Sequence, residues 1–195
     1  MALKMKIVLI IFLTLTVFGC TSNLSSLETR QHAPYAPADS RLGEYVNRVG
    51  KRVLIVSDRP SNNYNFVVMQ TNQPILEVNQ ETHSVIISKG VLEQLNDEAE
   101  LAAALALGVS KLNNTSDIDR ETATILYRAG YDPKAMLELQ EQYFHNANIN
   151  QSHWLASIYA VPPTAGTLTS NKIMLKKMPQ GLLRGNDNYH KELKE

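Results

Sequence analysis

Apolar residues recur along this chain in three rhythms, and each rhythm predicts a different kind of element. Behind Ser40, a residue suited to cap a helix, Leu42, Tyr45, Val46 and Val49 fall at helical spacing and predict an opening helix that can run on through 53–56. The turn-forming run Asp58-Arg59-Pro60-Ser61-Asn62-Asn63 then breaks the pattern, and β-rich stretches at 65–71, 75–79 and 84–88 predict a small sheet with a turn over 79–82. The third rhythm has no polar gap at all: alanine and leucine fill 101–107 behind Asp97, with Glu100 three residues after it where a capping box places its glutamate. A run of that length is too short to span a membrane, and a helix apolar on every side is a buried one. Further on, Gly130 can close a helix and Asp132-Pro133 can open another over 133–146, with Met136, Leu137, Leu139, Gln140 and Tyr143 sampling its faces. A last helix is predicted over 170–178. Helices packed on a short β-sheet around one buried helix make an α+β fold.

The ends differ from this middle. Lys4 and Lys6 precede an apolar and threonine run over 7–18, the layout of a secretory signal over residues 1–19. Val17-Phe18-Gly19-Cys20 resembles a bacterial lipobox, which implies cleavage before Cys20 and lipid on its sulfur. Cys20 is also the only cysteine, so a disulfide within the chain is excluded. Thr21, rather than an aspartate, follows it, and this favours attachment to the outer membrane at its periplasmic face. Residues 20–39, rich in Ser, Ala and Pro, read as a flexible tether, 40–180 as the domain, and 181–195 as a polar C-terminal tail. The chain carries 19 basic and 19 acidic residues; without the signal's two lysines the balance is 17 against 19, a net charge of −2. That balance offers no electrostatic footprint for nucleic acid.

The segment over 97–133, DEAELAAALALGVSKLNNTSDIDRETATILYRAGYDP, carries a family likeness. ELAAALALGVSKL resembles the ELAAVLGHEIAHV type of segment in the HtpX and CAAX-prenyl-protease family of zinc metallopeptidases, the M-forty-eight gluzincins, and especially its short periplasmic lipoprotein members. RAGYDP at 128–133 matches the turn that follows the family's third-ligand helix, and VIISKGVL at 85–92 matches the strand leading into the active-site region. The resemblance implies a small gluzincin scaffold whose buried helix carries H-E-x-x-H, two histidines binding zinc and a glutamate activating water.

In that register every position needed for hydrolysis is changed. Leu107 and Lys111 stand at the two histidines, Gly108 at the glutamate and Thr115 at the third ligand, expected on the next helix. Leucine and glycine offer no donor, and a lysine at neutral pH brings charge without a lone pair. Asp117 and Asp119 occupy the second acidic position and the aspartate of the family's E-x-E-A-D. The family implies zinc; these residues imply no cofactor and no catalytic residue. The expected activity is therefore that of a degenerate, metal-free pseudopeptidase binding polypeptides in envelope quality control or outer-membrane protein assembly. A zinc endopeptidase, as the family implies, and a purely structural envelope lipoprotein are the alternatives.

An edge strand beside the old active-site helix is the family's means of accepting an extended peptide, and it needs no metal. Asn79, Thr82, Ser84, Val85 and Ile86 are its candidates here. Lys111 raises one further expectation: extended into the old metal position, its ammonium pairs with Asp117 or Asp119 and replaces zinc as the local positive charge. Asp117, Asp119 and Glu121 read as a solvated first turn of a helix, since alternate residues diverge. His32, His83, His145, His153 and His190 form no ligand spacing, and Ser110 lies in no nucleophile motif. Trp154, Tyr159 and Pro162-Pro163 form an aromatic stretch able to cover the groove, though ordinary packing is the default.

Overall fold

Ser40 starts the first helix as its sequence predicts. Its hydroxyl accepts from the Gly43 amide at 3.1 Å, and Tyr45, Val46, Val49 and Val53 form the buried stripe of α1, Arg41–Leu54. The computed structural model describes residues 34–37, 40–60 and 63–194. The expected signal, Cys20 and most of the 20–39 stretch lie outside the described residues. Three strands follow, β1 (Asn65–Met69), β2 (Leu76–Asn79) and β3 (Ser84–Ser88). Then come a short α2 (Lys89–Leu92), the long α3 (Glu98–Leu112), α4 (Ile118–Arg128), α5 (Lys134–Asn148), a 3₁₀ turn (Trp154–Ser157), α6 (Ala165–Leu175) and α7 (Asn186–Leu193). The class is α+β, as expected, with seven helices packed on a mixed sheet of three strands among the described residues. No described helix is long and apolar enough to cross a membrane.

The sheet has the order β1-β3-β2, with β1 parallel and β2 antiparallel to β3. β3 is therefore central. All five of its residues are buried, whereas β2 buries only Leu76 and leaves Glu77, Val78 and Asn79 half-exposed. An unbroken Val-Ile-Ile run suits a strand covered on both faces, and the mixed Leu-Glu-Val-Asn suits an edge. Between them, Asn79 Oδ1 accepts from the amides of Glu81 and Thr82 at 2.9 and 3.0 Å, the turn expected there. The far side of β1 is covered by residues the sequence assigns to the tether: Tyr35 bridges Met69, and the Ala36 amide donates to Val68 O at 2.8 Å.

At the centre lies α3. Asp97 caps it by accepting from the Glu100 amide at 2.9 Å, while the Glu100 carboxylate takes the Asn96 amide at 2.7 Å, a variant of the expected capping box. Every residue of α3 except Lys111 is buried, against α1, α4, α5 and the sheet. Asp117 caps α4, Gly130 ends it in the left-handed conformation, and the Tyr131 amide returns to Leu126 O at 2.9 Å. The last long helix, α6, begins at Ala165 under a Thr164 cap, five residues before the expected start at 170; the Thr164 hydroxyl, accepting from the Thr167 amide at 3.1 Å, sets that start.

Over its described residues, 181–194, the polar C-terminal stretch is docked on the domain. Leu183 exchanges backbone hydrogen bonds with Gly130 and Asp132, the Ala99 amide donates to Arg184 O, and the Arg184 guanidinium reaches Asp97 and Glu138, both at 2.6 Å. Burial disfavours the Arg184 charge, but its hydrogen bonds and attraction to Glu138 and Asp97 outweigh this and raise its pKa. Tyr189 on α7 is fully buried, and its hydroxyl donates to Leu92 O. One aromatic residue in a charged helix thus anchors the C-terminus over the start of α3. Tyr189→Ala should cost about 3 kcal/mol, the usual scale for deleting a buried aromatic ring, measured as a lower urea midpoint at an unchanged slope; a free tail would leave the midpoint where it is.

Candidate functional site

The four positions that the likeness aligns with the zinc ligands and the glutamate lie on and just beyond the last turns of α3, and they do not share one environment. Leu107 is fully buried core. Gly108 is held against the sheet so closely that a Cβ there would lie 2.6 Å from Val85 Cγ1 and 2.9 Å from Cγ2. Thr115 is half-buried in the loop before Asp117, the cap of α4, and so stands off the helix on which the family likeness expects it. It lines a cleft of about 210 Å³ with Asp117, Arg120 and Glu121.

Lys111 is the one position of α3 that reaches toward solvent, and its ammonium is engaged. Nζ donates to Ser157 O at 2.6 Å and to Ile158 O at 3.1 Å, the carbonyls that end the 3₁₀ turn. The expected pairing with Asp117 or Asp119 is therefore replaced by main-chain acceptors. Gln80, just past β2, donates to Lys111 O at 3.4 Å and ties the strand's end to the same turn of helix.

The proposed peptide edge also changes. Ser84 (6% exposed), Val85 (0%) and Ile86 (7%) belong to the central strand, paired on both sides, and are closed to a further strand. Asn79 is the end of the true edge strand β2, and Thr82 sits exposed in the turn. Even β2 has a neighbour: the turn Trp154–Ser157 packs beside it, with Trp154 and Leu155 buried. The aromatic stretch is thus a cover held down by Lys111.

Two polar networks flank this cover. Asp119 accepts from Gln140 Nε2 at 2.8 Å, Tyr159 OH at 2.7 Å and Asn171 Nδ2 at 2.8 Å, which ties α4, α5, α6 and the cover's end together. Burial, then the Asp119 charge, pushes the Tyr159 phenol well above its ordinary range and keeps it protonated. Glu121 accepts from Asn113 Nδ2 at 2.8 Å, and Asn113 Oδ1 accepts from Tyr64 OH at 2.8 Å. Asp119 and Glu121 are therefore not the solvated turn expected of them; only Asp117, paired with Arg120 at 3.0 Å, is. Gln140 and Asn171 carry no motif, and the one sequence signal for them is a polar residue inside the apolar stripe of α5.

His153 opens the cover. Its Nδ1 accepts from the Leu155 amide at 3.2 Å, and its ring lies between Tyr143 and Trp154, 5.2 and 4.9 Å away. Burial pushes its pKa down to about 4, so the imidazole is neutral at pH 7 and free to accept. Next to it, Trp154 Nε1 is buried with no acceptor among the described residues, an arrangement that costs about 1–3 kcal/mol.

Could these residues hold zinc? Leucine offers no donor, the Lys111 ammonium is bound to two carbonyls, and Gly108 has no space for a carboxylate before Val85. Among the described residues no three of His, Cys, Asp and Glu converge as a ligand set. The residues at the family's ligand positions do not fit the metal. A scan of protein-family models finds none that matches this chain, and a search of curated proteins finds no match either. The likeness to the zinc peptidases rests on the residues quoted above.

Two measurements test this geometry. Gly108→Ala should cost about 2 kcal/mol in the native background and clearly less alongside Val85→Ala, a coupling read from a denaturation double-mutant cycle; additive effects would disprove the close approach. For His153, the unfolded chain takes up a proton below about pH 6.5 that the folded chain refuses until about pH 4. Its contribution is thus complete above pH 6.5 and is lost as the pH falls toward 4, by up to about 3 kcal/mol. His153→Phe should flatten the fall in stability across that window.

Proposed function

We propose that this protein is a lipid-anchored pseudopeptidase, tethered through Cys20 at the periplasmic face of the outer membrane and working by holding polypeptides rather than cutting them. Its scaffold is that of the small gluzincins. The observation that carries this reading is Lys111: the residue at the second histidine position bonds to the main chain of a covering segment, so the place of the metal is taken by a peptide contact. An ammonium that binds carbonyl oxygens beside an edge strand is a peptide-recognition device in itself. The buried Asp119 network supports the same reading, since it rigidifies the framework around the cover without offering a nucleophile or a base to solvent. Client proteins of the envelope or its assembly machinery are the partners this implies, and nucleic acid is not.

The purified full-length protein should bind fluorescent unfolded casein saturably by anisotropy, release no fragments from it, and keep its melting temperature and its binding in chelator. Stoichiometric zinc, or cleavage abolished by chelator, would establish the endopeptidase instead. No binding to any unfolded chain would leave the structural lipoprotein.

A further inference from the structure

The cover beside β2 describes, through its own contacts, what else fits there. It places an aromatic and an aliphatic side chain, Trp154 and Leu155, into buried positions next to the edge strand. Its main chain then presents two consecutive carbonyl oxygens, of Ser157 and Ile158, to one ammonium at 2.6 and 3.1 Å. This occupant is imperfect in two respects. The Trp154 indole is buried with its N–H unaccepted among the described residues. Lys111, half-buried, has neutral amide oxygens as its acceptors among the described residues, while Asp119 is engaged by Gln140, Tyr159 and Asn171 and Asp117 is paired with Arg120. A carboxylate offers the same two acceptor oxygens and a full negative charge, and a charge-assisted hydrogen bond is roughly twice as strong as a neutral one.

We propose that this site takes the apolar C-terminal end of another polypeptide. Apolar side chains a few residues before its end replace Trp154 and Leu155, and its α-carboxylate replaces the carbonyls of Ser157 and Ile158 on Lys111. The inference rests on the polypeptide-holding function proposed above and names the ligand class of that site. The stretch that must move is bounded by Asn150, in the left-handed conformation at φ 55°, and by Tyr159, tied to Asp119. β2 supplies the adjoining edge.

The probe is a peptide copying residues 154–158, labelled at its N-terminus and made both as the free acid and as the C-terminal amide, titrated into the full-length protein. The free acid should bind on the order of tenfold tighter than the amide. That ratio should fall to about one in Lys111→Gln and persist in Lys111→Arg, with circular dichroism confirming that both variants fold. Equal binding of acid and amide to the native protein, or an acid preference that survives in Lys111→Gln, overturns the carboxylate site while leaving polypeptide binding intact. If neither peptide binds while unfolded casein does, the C-terminal ligand class is wrong; if casein fails as well, the holding function falls with it.

Discussion

The fold is arranged around the burial of α3, of which every residue but Lys111 is buried. A helix shielded from water on all sides must have its end groups satisfied by protein, because unpaired amides and carbonyls in a dry interior are costly. Asp97 and the Arg184 carbonyl meet the first amides, and the Arg184 guanidinium neutralises Asp97. Glu98, in the first turn, accepts from Tyr45 OH at 2.9 Å and Tyr131 OH at 2.7 Å, so that α1 and the turn after α4 are hydrogen-bonded to the start of the central helix. Burial, reinforced by Glu98, raises the pKa of both phenols and keeps them as donors. The Arg52 guanidinium, 4.5 Å over the Tyr131 ring, adds a cation to the same cluster.

The same constraint explains the environments of Leu107, Gly108 and Lys111. On a helix packed so closely that Gly108 touches Val85, only a residue on the outward side can carry chemistry, and that residue is Lys111. Leu107 and Gly108 serve packing, whereas Lys111 serves contact. The cover and the cation are physically linked, since an exposed ammonium attracts main-chain oxygens. The cover is not tightly specified by that contact alone: His153 must stay neutral to cap it, and the Trp154 N–H finds no acceptor among the described residues.

Local signals made much of the framework legible. Ser40, Asp97 and Asp117 cap the helices they precede, Gly130 ends α4, and the Asn79 side chain forms the turn before β3. Each of these involves residues a few positions apart, where the chain has little freedom to choose otherwise. Strand order was harder: taking 84–86 for an edge neglected that Val85-Ile86-Ile87 is an unbroken apolar run, which a strand paired on both sides requires. The C-terminal stretch misled for the opposite reason, because its composition is that of a solvated tail, while Tyr189, Leu183 and Arg184 dock it.

By itself, the sequence determined the α+β class, the buried helix over 97–112 and the absence of zinc-binding side chains at 107, 108, 111 and 115. These follow from periodicity, from caps, and from which atoms a side chain possesses. Only the tertiary structure decided that Lys111 binds the carbonyls of Ser157 and Ile158, that Asp119 gathers Gln140, Tyr159 and Asn171, and that β2 rather than β3 is the edge. These partners lie between about twenty and fifty positions apart for the hydrogen bonds, and sequence spacing carries no information on which distant groups a closed core will bring together.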